Sequence, residues 1–451
     1  MIWLYALVNA LTLLWGFRYA RRVGLREVIP FVFCLALLLV YCLVTPMAFY
    51  LAERETVTGD SGVFQFVGKS IWGYYGEGMF AYMLANLCFI MGFTCKKLYF
   101  VEEKSELNID ALPALRGVVV GLYMIFMIVV ISDITVSGIN VLDILFGQST
   151  DSLMSSQSIT NTYYFRAFAD SIITTLVLYA YLDGKPLRVL GLLIPAFILF
   201  ALLGFRYRII LTLLGLVIVY LTNKNIRLTT GRWVAISLTF LYIVFTITYN
   251  RWFVITGAYD RITVNPLEYD YTMFLEQTRG SLADFNMLRY YDENPETRHD
   301  YGVSMFGYIV IRIIPKQLFP SGEKPYPSPY LEVLDRSLEL PRTWVRIGEA
   351  NLHYGAFYAG FGWLGFVLLP FLMGLWLNYF VYQNLSDTPI GFLKQIAFSL
   401  ALFQLITRGY FPQFVDHFVY LFIPIWLIGG RLRNATSTRS TANCPVYEAV
   451  Y

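Results

Sequence analysis

The sequence predicts an all-α polytopic membrane protein with about eleven transmembrane helices and one large periplasmic loop that contains short helices. Three observations predict it. The 451 residues are 57% hydrophobic and only 14% charged, whereas soluble domains carry roughly 25% charged residues. So few charges cannot cover the surface of a soluble globule, and so much apolar mass excludes a disordered chain. Apolar runs of about 20 residues, the length that crosses hydrocarbon, recur along the chain. Lys and Arg also fall unequally between alternate connections, as they do when basic residues are retained on the cytoplasmic side.

The first run, 2–17, has no basic segment before it and no small-residue cleavage site, so it reads as a retained helix rather than a signal peptide. Further spans are expected at 29–52, 74–95, 115–133, 165–183, 186–204, 206–222 and 233–250, which puts eight helices in residues 1–250. Residues 251–354 form the loop, residues 355–430 hold three more spans (355–382, 390–408 and 414–430), and 431–451 is a polar cytoplasmic tail. With this map, seventeen Lys and Arg fall on one side of the membrane and six on the other, with eleven in the long loop. The N-terminus is then outside, the loop periplasmic and the C-terminus inside. Within the loop, Tyr301–Ile314 is apolar but too short to cross and is ended by Pro315, which reads as an interfacial or re-entrant helix. Residues 315–330, rich in Pro, Tyr and Lys, read as irregular chain.

Net charge is +3 with no long basic run, which argues against nucleic acid as a partner. The five cysteines include no CxxC pair and read as helix-packing residues. The chain has three histidines and no HExxH, so no metal site is expected.

The candidate chemistry lies at the outer ends of the spans. Arg206 and Arg208 occupy a tight turn between the sixth and seventh spans, Arg408 ends the tenth, and Arg279, Arg312, Arg342 and Arg346 lie in the loop. A guanidinium stays charged and presents a planar fork of donors that matches phosphate oxygens. Lone arginines at such positions commonly just snorkel to the interface. Several on one face suit a lipid-linked diphosphate. A second pattern is local: Arg342, Arg346, Glu349 and His353 are spaced by four, three and four, so a helix would put them on one face. Such a face is either a self-neutralising salt-bridge stripe or an acid/base site. Asp416 and His417 open the last span and read as an interfacial cap. The middles of the spans carry almost no charge.

These residues give a resemblance. Gly204-Phe205-Arg206, then Ser304, Ile314-Pro-Lys-Gln-Leu-Phe-Pro320 and Lys324-Pro325, Gly348-Glu-Ala-Asn-Leu-His-Tyr-Gly355, Phe361-Gly-Trp-Leu-Gly365 and Arg408-Gly409 follow one another over residues 204–410. In that order the chain resembles the oligosaccharide repeat-unit polymerases, the Wzy-type O-antigen polymerases, which are integral membrane glycosyltransferases of the GT-C type. The resemblance implies a multi-pass protein of the bacterial inner membrane with its active site facing the periplasm. It also implies membrane lipid and undecaprenyl-diphosphate-linked oligosaccharides as partners, a chain-length regulator protein as a further one, and no cofactor. Arg206, Arg208, Arg279, Arg312, Arg346 and Arg408 would then hold the diphosphate, Glu349 would act as the base, and His353 would stand beside it. Related ligases place a histidine where this chain has Asn351, so the ligase-type histidine role is not carried over. An O-antigen ligase and a lipid-linked oligosaccharide flippase are the alternatives.

Overall fold

The computed structural model describes residues 1–53, 70–96, 105–107, 111–136, 163–183, 185–202, 206–222, scattered positions in 231–253, 259–269, 278–314, 318–321, 325, 328–337, 351–384 and 388–438. Among the described residues the regular structure is helical, apart from one short antiparallel pair of strands, β1 (Ser105–Leu107) and β2 (Thr436–Thr438). Seven of the helices among these residues are long and apolar enough to cross a membrane. They are α2 (Ile29–Leu51, with a wider π turn at Val40–Val44), α3 (Tyr75–Thr94), α4 (Leu112–Val136), α5 (Tyr163–Asp183), α12 (Trp363–Gln383), α13 (Pro389–Arg408) and α14 (Phe411–Asn434). Helices α1 (Ile2–Val23), α6 (Pro186–Leu202) and α7 (Arg206–Thr222) stand where the first, sixth and seventh spans are expected, but fall short of the same mark in length or apolarity. The expected eighth span, 233–250, lies largely outside the described residues.

The contacts alternate the direction of these helices. Arg116 near the start of α4 pairs with Asp183 at the end of α5, while Asp133 near the end of α4 pairs with Arg166 near the start of α5. One end of the bundle, called upper here, therefore holds Leu51, Tyr75, Val136, Tyr163, Trp363, Arg408 and Phe411. The lower end holds Thr94, Leu112, Asp183, Gln383, Pro389 and Asn434. Lipid tails are as apolar as Leu, so close backbone approach rather than hydrophobic burial drives helix association in a bilayer. At Gly92 of α3 and Gly374 of α12 the two helices touch backbone to backbone. A Cβ on either glycine would lie inside the van der Waals surface of the other helix's chain, at Phe371 and Phe89 respectively.

The expected span 355–382 is corrected to two helices, α11 (His353–Phe361) and α12, broken at Gly362. Gly362 has φ 59° and ψ −145°, a conformation that glycine alone adopts readily. The expected helical face through Arg342, Arg346, Glu349 and His353 is also interrupted, because Asn351 and Leu352 are extended and helix begins only at His353. The break makes α11 a half-helix that descends between the spans. The Tyr354 hydroxyl donates to Asn86 Oδ1 at 2.7 Å, and Asn86 in turn donates to Asn9 at 2.8 Å. Asn86 lies eleven residues along α3 from Tyr75, ~16 Å below the upper end at 1.5 Å per residue. A second half-helix, α8 (Gly280–Glu293), runs the same way. Thr278 just before it shares a 3.0 Å hydroxyl contact with Thr45 of α2, and Asp292 near its far end accepts from Tyr74 at the upper end. The N-termini of both half-helices thus point into the bundle. The apolar stretch 301–314 forms a π turn (Val303–Gly307) leading into α9 (Tyr308–Ile313). It packs on the start of α14 through Phe306 and Phe411, and the short helix α10 (Pro329–Ser337) lies beside it, with Ser304 Oγ accepting from Tyr330 N–H at 2.9 Å.

Candidate functional site

One group of polar residues at the upper end shares a buried centre. Asp170, two turns into α5, is the hub. Its Oδ1 accepts from Arg208 Nε at 2.6 Å, and its Oδ2 lies 2.8 Å from His417 Nδ1. The side chains of Arg208 and Asp170 are only 4% and 6% exposed. A buried carboxylate must be paired or hydrogen-bonded, and this one answers to two helices other than its own. Because Nδ1 faces a carboxylate it carries the proton, which leaves His417 Nε2 as an acceptor. Nε2 is buried and has no partner among the described residues. It opens on a cleft of ≈ 10 Å³ lined by Ala167, Tyr207, Gln404, Gln413 and Asp416, room for about one water. A diphosphate does not fit there, so a ligand that reaches Arg208 must displace Asp170 or approach from the side of Arg408.

Arg408 closes α13, keeps exposed surface, and is flanked by Tyr41 and Tyr207. Tyr41 lies one turn before Thr45, the partner of Thr278, which is next to Arg279 at the cap of α8. Arg208 and Arg408 therefore share Tyr207, and Arg279 follows a residue that touches α2 one turn from Tyr41. The Cα of Gly409 lies against the carbonyls of Asn351 and Leu352, which brings the start of α11 to the same place. Of the other residues read from the sequence, Arg206 begins α7 and Arg312 lies in α9, but their side chains are outside the described set. Arg342, Arg346 and Glu349 lie outside the described residues altogether.

His353 is described, and its surroundings suit packing. It is 1% exposed, its ring lies 3.9 Å from that of Tyr354, and Nδ1 donates to the Ile406 carbonyl at 3.3 Å. A ring so enclosed, with Nδ1 committed to a carbonyl, is poorly placed to serve as a base. The N-terminus of α11 is capped from α8: Asp284 accepts from Leu352 N–H at 2.9 Å and from the Gly355 amide, and the Tyr82 hydroxyl donates to it at 2.8 Å.

Sequence reading missed Asp170 and Asp284 and took His417 for a cap. For Asp170 the signal was present: an ionisable residue inside an apolar span is a functional candidate by default. Asp170 is an exception to the expectation that the middles of the spans carry almost no charge, and the ion pairs Asp133–Arg166 and Asp170–Arg208 are both buried. For Asp284 no local signal exists, because its role depends on a partner 68 residues away. Ion pairs such as Asp170–Arg208 can also serve only to hold helices together. The uncommitted His417 Nε2 and the accessible Arg408 beside it go beyond what helix packing requires. Comparison of the chain with protein-family models, curated proteins and solved structures finds no match.

Proposed function

We propose that this protein polymerises oligosaccharide repeat units carried on undecaprenyl diphosphate, by metal-independent glycosyl transfer at the periplasmic end of its helices. The observation that carries the reading is the placing of Arg208 and Arg408 around Tyr207, beside a carboxylate-oriented histidine, at one end of an apolar bundle. In the reaction, an acceptor hydroxyl forms a bond to the anomeric carbon of the donor's reducing-end sugar. The bond from that carbon to the diphosphate oxygen breaks, and its electron pair leaves with the diphosphate. Arginines aimed at the departing oxygens stabilise the developing charge. The acceptor proton passes to a base. Glu349, two residues before Asn351, is the base that the resemblance implies, and His417 Nε2, oriented by Asp170, is the one that the geometry favours. Arg408 binds the diphosphate directly, whereas Asp170 acts through Arg208 and His417 as a positioning residue.

The test is a reconstitution in nanodiscs with synthetic undecaprenyl-diphosphate-linked repeat units and a chelator present. The reading expects a ladder of longer lipid-linked glycans, lost in Arg408→Ala. A ladder unchanged in Arg408→Ala, or one that needs an added divalent ion, overturns it. Glu349→Gln and His417→Gln separate the two bases, since only loss of the working base removes the acidic limb of the pH–rate profile.

One observation favours a second reading. Half-helices whose N-termini meet inside a membrane protein are the usual architecture of transporter binding sites, and α8 and α11 have that form. A flippase for the same lipid would move a fluorescent undecaprenyl-diphosphate glycan between leaflets of sealed vesicles without forming a new linkage.

A further inference from the structure

We propose that a second site, a pocket at the upper rim separate from the arginine centre, binds a neutral sugar ring of the glycan. The pocket has a volume of ≈ 390 Å³ and lies where the ends of α3, α8, α11 and α12 meet the segment before Gly302. Its walls alternate aromatic faces with polar groups. The Tyr291 ring is stacked on His299 at 4.6 Å, and Tyr358 stands edge-on to both at 5.5 and 5.6 Å. Trp363, 39% exposed, continues the aromatic wall 6.2 Å from Tyr358. Two carboxylates face these rings: Asp292, held by the Tyr74 hydroxyl at 2.7 Å, and Glu77. His299 Nδ1 donates to the Ala359 carbonyl at 3.3 Å, which leaves Nε2 as a further acceptor, and Arg298 adds donors at the same pocket.

The lining selects the ligand class. An anion would meet Glu77 and Asp292, and a cation would meet Arg298. A purely apolar ligand would strip water from Glu77, Asp292 and the imidazole and replace none of its hydrogen bonds. A neutral polyhydroxylated ring satisfies both halves, because its C–H face lies on the Tyr and Trp rings while its hydroxyls donate to the carboxylates and accept from the guanidinium. The pocket also shares α11 with the arginine centre: His353 at one end of the helix meets Ile406, two residues before Arg408, and Tyr358 towards the other end lines the pocket. A glycan with its diphosphate at Arg408 can therefore extend along α11 to this rim. That continuity rests on the polymerase reading, whereas the preference for a sugar rests on the lining alone.

The experiment uses the full-length protein in nanodiscs free of glycolipid, with saturation-transfer NMR on free glucose, galactose, N-acetylglucosamine and rhamnose. At least one sugar is expected to receive saturation from the wild-type protein. Binding is expected to weaken about tenfold or more in Asp292→Asn and in Trp363→Ala. Glu77→Gln, at a half-buried lining residue, is expected to weaken sugar binding in the same direction. Arg408→Ala is expected to retain sugar binding while losing polymerisation, so a failed polymerase reading leaves this proposal standing and the reverse also holds. The proposal is overturned if no sugar receives saturation, or if transfer persists unchanged in Asp292→Asn and Trp363→Ala proteins whose helical circular dichroism matches wild type.

Discussion

Replacing Asp170 by Asn keeps the shape of the hub and removes its charge. The Asn oxygen can still accept from Arg208, but the guanidinium then lies in a site where its side chain is 4% exposed, with its counter-charge gone. Breaking a buried pair by removing one partner costs about 3–5 kcal/mol, mostly the desolvation of the charge left behind. Arg208→Gln removes the guanidinium and leaves the carboxylate only His417 Nδ1, at a cost of the same sign and no greater size. The double variant strands nothing, and replacement of a whole buried pair by neutral groups of similar size is close to neutral. The double variant is therefore expected to lose about 1–2 kcal/mol, far less than the sum of the singles. Equilibrium unfolding in mixed detergent micelles, followed by circular dichroism, measures all four corners of the cycle. If the double variant's loss equals the sum of the singles to within about 0.5 kcal/mol, the sites are independent and the hub does not exist as described. Activity should divide differently. Asp170→Asn lowers kcat and shifts the pH–rate profile through His417, whereas a purely structural role would lower stability alone.

Other predictions rest on separate features. Gly374→Val should push α12 away from α3, at about 1–3 kcal/mol for overpacking, while a substitution at Gly117, where a Cβ meets nothing within 4 Å, is expected to be silent; the same unfolding assay compares the two. Gly362→Ala combines strain at φ 59° with a Cβ 2.9 Å from His299 Nε2, and is expected to weaken sugar binding at the upper rim more than it lowers the midpoint of unfolding.

Much of the fold was legible because the bilayer reads the chain one segment at a time. A run such as Pro389–Arg408 declares itself by length and apolarity, whatever it packs against. The outer arginines were legible as candidates for the same reason, since Arg208 and Arg408 interrupt or end apolar runs. The break at Gly362 was less legible: the apolar run 355–382 is unbroken, and the bend arises because α11 must meet both Asp284 below and His299 above.

The amino-acid order by itself determined that this chain is helical, that it crosses a membrane, and that its cations lie at the ends of its spans. Each of these follows from local transfer free energies that depend on composition within some twenty residues. Only the tertiary structure decided that Arg208 and His417 share Asp170, that His353 is buried, and that Asp292, Tyr358 and Trp363 face one pocket. Those arrangements join residues far apart in the chain, and which of them meet is set by how helices of similar apolarity interlock at their glycines and buried polar groups, a choice that no single segment records.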